Sequence, residues 1–156
     1  MIMNNSYLGV QDGVHDVHDV CDVILWLEQV KKLDELIDAK LTERKQLLDL
    51  ATKITPEMTG MPFGGGVTDK VGNIGVKLGD LARETNVACD RYIDHKAAVI
   101  ATLEKLPAKE YGVLHREYIR YMTQEEIADD MHYSTVQIWR IKQNALELLK
   151  DVMKCN

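Results

Sequence analysis

From Val20 onward, apolar residues recur at steps of mostly three and four: Val20, Val23, Leu27, Val30, Leu33, Ile37, Leu41, Leu48 and Ala51. That spacing lays one apolar stripe along an α-helix, with Glu, Lys and Asp on the other side. A helix from Val20 to Lys53 would be about 51 Å long at 1.5 Å per residue. Two prolines and five glycines in T-K-I-T-P-E-M-T-G-M-P-F-G-G-G-V-T-D-K-V-G-N end it, so residues 54–75 read as a mobile connection. A second stripe follows: Leu78, Leu81, Thr85, Ala88, Tyr92, Val99, Leu103 and Leu106, with Lys96 between Tyr92 and Val99. This is close to the 3-4 alternation of a coiled-coil seam. Two long helices joined by a loop pair antiparallel, and Pro107 closes the second at Leu106. So narrow a hairpin leaves apolar surface uncovered, to be met by the rest of the chain or by a second copy.

After Pro107 the pattern shortens to three helices. The first, from Lys109 to Tyr121, buries Tyr111, Leu114, Tyr118 and Tyr121. The second opens at T-Q-E-E, where Thr123 caps and Glu126 reaches back, a capping box. Ile127, Ala128 and Met131 face inward, His132 and Tyr133 make the turn, and Ser134 with Gln137 forms a second capping box. Two capped helices around so short a turn are the helix-turn-helix signature, with Ala128 as the small residue where the helices meet. Ile138, Ile141, Ala145 and Leu148 then form the inward ladder of the helix 134–148. Its outward residues are Thr135, Val136, Gln137, Trp139, Arg140 and Gln143. In such domains these positions enter the major groove, where Gln and Arg grip adenine and guanine edges bidentately. The architecture expected is all-α, with residues 1–19 a flexible lead-in, 20–106 the hairpin and 107–150 the helix-turn-helix domain.

Charge qualifies that expectation. The formal net charge is −6. Residues 107–156 hold seven Lys/Arg against eight acids, which is −1 there and leaves −5 for residues 1–106. A pI near 5.3 argues against broad nucleic-acid affinity but not against a locally basic face. No apolar run spans a membrane, and the N-terminus has neither a basic start nor a long apolar segment, so a cytoplasmic protein is expected. Cys21, Cys89 and Cys155 are far apart and read as free thiols.

At the C-terminal module the residues resemble a known family. E-E-I-A-D-D-M-H-Y-S-T-V-Q-I-W-R-I, preceded by V-L-H-R-E-Y-I, is similar to the fourth conserved region of sigma factors. With I-D-A-K-L-T-E-R, A-T-K-I-T-P and C-D-R-Y-I-D-H-K upstream, residues 30–150 resemble small Gram-positive phage and prophage regulators, the RinA- and ArpU-type late-gene regulators. The resemblance implies a phage-encoded activator that reads promoter double-stranded DNA and whose hairpin either forms a homodimer or docks on bacterial RNA polymerase. It makes Thr135, Gln137, Trp139 and Arg140 base or backbone contacts, with Lys142 flanking. Ser134, Val136, Gln143, Arg116 and Arg120 complete the expected DNA-binding set. Two features depart from the pattern: His132 stands where Gly or Asn is usual, and Thr135-Val136-Gln137 is less basic than many such segments. No other sigma region is present, so an autonomous sigma factor is not expected.

Other chemistry is thinner. His15, His18 and Cys21 share a helical face with Asp16, Asp19 and Asp22 between them, but no further ligand cluster accompanies them, and no metal site is expected. G-G-G (64–66) and G-N-I-G-V-K-L-G (72–79) lack the G-x-x-x-x-G-K-[ST] phosphate-loop pattern and read as linker. His95 and His115 have no nucleophile or carboxylate arrangement, so neither an enzyme nor a cofactor is expected. Glu125, Glu126, Asp129 and Asp130 form either a solvated face or a polymerase-facing patch. Trp139 either stacks on DNA or covers a helix junction. Two alternatives to a regulator stay open: a sigma-mimic or anti-sigma-like adaptor that uses the fold without DNA, and a small terminase subunit recognising packaging DNA. A terminase subunit would carry its motif near the N-terminus. A continuous basic stripe through Arg116, Arg120, Arg140 and Lys142 goes with DNA; an interrupted one goes with the adaptor.

Overall fold

The computed structural model describes residues 19–54 and 66–155. The lead-in, with His15 and His18, and the Pro-containing part of the loop, 55–65, lie outside the described residues. Among the described residues five α-helices follow in order: α1 (Val20–Ile54), α2 (Gly66–Leu103), α3 (Ala108–Leu114), α4 (Gln124–Met131) and α5 (Thr135–Lys154). Between α3 and α4 the chain makes one π-helical stretch, His115–Ile119. No strand occurs among the described residues.

α1 and α2 form the antiparallel hairpin. Near its base, Val23, Leu27 and Val30 of α1 share one cluster with Val99 and Leu103 of α2, and Leu33 of α1 and Leu81, Thr85 and Ala88 of α2 are also buried. Farther along, the expected α1 stripe fails: Leu41 and Leu48 are each 45% exposed. A straight helix drifts about 20° per heptad against a seven-residue repeat, so the steps from Leu41 to Leu48 leave the seam. Lys40 and Leu47 are the more enclosed positions there, and Lys40 Nζ meets Glu84 Oε2 at 2.5 Å.

α2 begins nine residues earlier than the expected loop end, since Gly66 to Gly75 are helical rather than loop. Ile74 carries the stripe backward from Leu78 and is buried. The glycines hid this continuation, because each costs about 1 kcal/mol of helix propensity against Ala. A Cβ added at Gly75 or Gly79 would meet nothing within 4 Å. Gly75→Ala with Gly79→Ala is therefore expected to stabilise the hairpin by about 1–2 kcal/mol, read as a higher Tm by circular dichroism. At its other end α2 stops at Leu103 rather than Leu106. A tightened turn follows, with Lys105 N–H on Thr102 O at 3.2 Å and Leu106 N–H on Leu103 O at 2.9 Å.

Pro107 does not divide two separate cores. Val23, Leu27 and Val30 of α1 share one cluster with Val99 and Leu103 of α2, Leu106, Leu114, Tyr118, and Ala145, Leu146 and Leu149 of α5. A second, smaller core lies inside the C-terminal module: Val113, Ile127, Ala128 and Ile138, backed by Met122, Met131, Tyr133 and Ile141. α5 therefore belongs to both. Its first half packs on α4, and its second half is set into the base of the hairpin.

That double packing explains a change in the α5 ladder. Ile138 and Ala145 are buried as expected, but Ile141 and Leu148 are only half-buried, while Leu146 and Leu149 are fully enclosed. The hairpin contacts a different side of the helix from α4, so the buried arc widens in the second half. The helix also continues to Lys154.

The segment expected as one helix over 109–121 is instead α3 leading into the π-helical stretch, and Tyr121 closes it in the left-handed region at φ 57°. Leu114 and Tyr118 are buried as expected; Tyr111 and Tyr121 are half-buried. Cys21, Cys89 and Cys155 are free thiols. No helix among the described residues is long and apolar enough to cross a membrane.

Candidate nucleic-acid interface

Both capping boxes form. Thr123 Oγ1 accepts from Glu126 N–H at 3.3 Å, while Glu126 Oε2 accepts from Thr123 N–H at 2.7 Å. At α5, Ser134 Oγ accepts from Gln137 N–H at 3.2 Å and Gln137 Oε1 accepts from Ser134 N–H at 2.9 Å. Three residues, His132 to Ser134, join the two helices. His132 takes the left-handed conformation at φ 57° and ψ 41°, which reverses the chain at the end of α4. Tyr133 N–H then closes on Ala128 O at 2.9 Å. Ala128 is buried between the helices, as the small contact residue should be.

This fixes what α5 presents. Thr135, Val136, Trp139, Arg140 and Gln143 are all exposed. At 100° per residue they cover one contiguous arc of about 140°. Trp139 is 53% exposed and belongs to neither core, so it does not cover a helix junction. Val136 beside it is 57% exposed. Among the described residues, Arg140 makes no hydrogen bond or ion pair.

The remaining expected contacts are placed differently. Gln137 has its side-chain oxygen committed to the cap, which leaves only the amide nitrogen for another partner. Lys142 turns inward: its Nζ is 2.5 Å from Glu117 Oε1 and 5.7 Å from the centre of the Tyr118 ring, with a side chain only 16% exposed. Arg116 ties α3 to α4. Its Nε donates to Asp130 Oδ2 at 2.6 Å and its Nη1 to Gly112 O at 3.1 Å. The guanidinium holds the Asp130 carboxyl below the usual carboxylate range. Arg120 is exposed just after the π-helical stretch. The basic stripe is thus interrupted, with Arg120 and Arg140 outward and Arg116 and Lys142 engaged.

The acids of α4 divide in the same way. Glu126 serves the cap and Asp130 the arginine, while Glu125 and Asp129 face solvent. Sequence reading missed Glu117 as the partner of Lys142, since a pair 25 positions apart leaves no local signal. It also missed Gly112, where an added Cβ would lie 3.2 Å from Arg116 Nη1. That close approach lets the arginine fold back over its own helix.

His115 sits in the π-helical stretch with its ring stacked on Tyr111, centroids 5.3 Å apart. Burial, then the charges of Arg120, Arg116 and Lys96, push its pKa below the ordinary 6.5. Above pH 6.5 the ring is neutral in both folded and unfolded chains. Below it the unfolded chain takes up the proton first, so stability falls as pH drops through the lowered folded value. Wild type is therefore expected to lose more Tm between pH 7.5 and 5.5 than His115→Gln does, by thermal denaturation across that range.

Glu28, Lys31, Glu117, Tyr118 and Tyr121 line a cleft of about 280 Å³ between α1 and the π-helical stretch. Burial, first of all, raises the Tyr118 and Tyr121 hydroxyl pKa values well above 10. Among the described residues no three His, Cys, Asp or Glu side chains gather as metal ligands, and Cys21 is exposed on α1. Comparison with protein-family models, curated proteins and solved structures gives no match to this chain.

Proposed function

We propose that the chain is a DNA-binding transcriptional regulator whose α5 reads promoter DNA with its N-terminal half. One observation carries this reading: a capped helix, set off from α4 by a left-handed turn residue, holds Thr135, Val136, Trp139, Arg140 and Gln143 together on one exposed arc. The resemblance to sigma region four and to Gram-positive phage late-gene regulators supports an activator acting in the cytoplasm of a bacterial host. The hairpin supplies the second half of the proposal. One such helix reads only a few base pairs, so useful specificity needs two half-sites and two copies. Leu36, Leu41, Leu48 and Leu50 on α1, with Val71, Val76, Val87 and Ile93 on α2, are exposed and give the arms apolar surface for self-association or for RNA polymerase.

A second reading is favoured by the interrupted basic stripe: an adaptor that docks on polymerase through the same arc without DNA. With Arg116 and Lys142 held in internal ion pairs, few cations remain for phosphate contacts.

Selection from a pool of random duplexes by the full chain separates the two, with the mass of the free chain measured in solution. The regulator reading expects an enriched, two-part sequence and a dimeric mass. An unenriched pool together with direct binding to purified polymerase goes with the adaptor.

A further inference from the structure

We propose that the outward arc of α5 recognises thymine through its 5-methyl group, with Val136 and Trp139 as the apolar contacts and Arg140 as the flanking guanine contact. This rests on the proposed reading of that arc as a DNA surface. Three of the expected polar contacts are committed elsewhere, which leaves Arg140 and Gln143 as the long polar side chains of the arc. Bidentate recognition of adenine needs both the carbonyl and the amide of a Gln side chain, and Gln137 Oε1 already accepts from Ser134 N–H at 2.9 Å. Lys142 is paired with Glu117, and Arg116 is pinned to Asp130 and to the Gly112 carbonyl.

Of the arc's five residues, Val136 and Trp139 are large and apolar, set beside Thr135, Arg140 and Gln143. Val136 and Trp139 lie one helical turn apart, 57% and 53% exposed, in the first two turns of a helix whose other large apolar side chains are inward. Scattered exposed apolar residues need no explanation, but two adjoining ones beside Thr135 and Arg140 form a compact patch. In the major groove, the thymine methyl is the apolar group that an unmodified base edge offers. Burying it against Val136 and Trp139 removes water from both partners, and the Thr135 methyl extends the same surface. Arg140 lies beyond Val136 on the arc, placed for a guanine O6 and N7 next to the thymine.

The test changes the DNA before the protein. Duplexes that the full chain selects from a random pool are remade with deoxyuridine replacing thymidine one position at a time. This removes the methyl and keeps the pairing and the O4 acceptor. Fluorescence anisotropy is expected to show about fourfold weaker binding per methyl at one or two positions. Val136→Ala, checked for unchanged circular dichroism, is expected to bind the thymine and uracil duplexes equally at one of them. Equal wild-type affinity for thymine and uracil at every position, or a selected site without thymine, overturns the methyl reading and leaves DNA binding standing. A pool that yields no selected sequence removes the DNA reading and this inference with it.

Discussion

Leu146→Ala is expected to destabilise the chain by about 3 kcal/mol and to weaken hairpin and C-terminal module in the same transition. Leu146 is 1% exposed and lies on α5, yet its cluster contains Val23, Leu27 and Val30 of α1 and Val99 and Leu103 of α2. Truncation therefore opens a cavity at the point where the two parts of the molecule meet. The two tryptophans make this measurable, because Trp26 packs against that shared cluster while Trp139 is outside it. In a Trp139→Phe background, Trp26 fluorescence reports the hairpin base and far-UV circular dichroism the whole chain. Coincident melting curves, both shifted down by Leu146→Ala, are the expected result. A hairpin signal that keeps its midpoint while the rest melts earlier contradicts a shared core.

Arg140→Ala is expected to weaken binding to a selected duplex about 10- to 100-fold, the range of a lost bidentate guanine contact. The side chain is exposed and has no partner among the described residues, so Tm should stay within the experimental scatter. Lys142→Ala should behave in the opposite way. Its removal leaves Glu117 mostly enclosed without a cation, so stability falls while sequence preference is kept. Measured side by side, the two variants separate a base-reading cation from a structural one on the same helix. An Arg140→Ala chain that binds as wild type does would remove Arg140 from the interface.

The parts of the fold that sequence made visible are those written locally. Thr123 with Glu126 and Ser134 with Gln137 are three residues apart, so each cap is legible from four positions of text. The hairpin base was legible because Val23, Leu27 and Val30 keep helical spacing into a region where both helices are close. What stayed hidden depends on partners distant in sequence. The turn of Lys142 toward Glu117, and of Arg116 toward Asp130, is decided by packing between helices rather than by either residue's neighbours. The enclosure of Leu146 and Leu149 follows from the hairpin lying against a second side of α5, which no periodicity within α5 records. The start of α2 was masked by glycine, whose low helix propensity outweighed one Ile74 at the right step.

These placements give α5 its orientation. Its outward arc is held by α4 at one end and by the hairpin at the other, so movement of the hairpin base would be transmitted to the surface proposed to read DNA. A dimer built through the hairpin would then set the spacing of two such arcs, and with it the spacing of half-sites.

Whether this arc reads a DNA sequence is decided by a nuclease footprint on genomic fragments captured by the full chain. The expected result is a protected site that weakens as salt rises, is lost with Arg140→Ala, and persists with Lys142→Ala in chain that remains folded. Captured fragments without a common protected sequence, or protection that Arg140→Ala leaves unchanged, would contradict it.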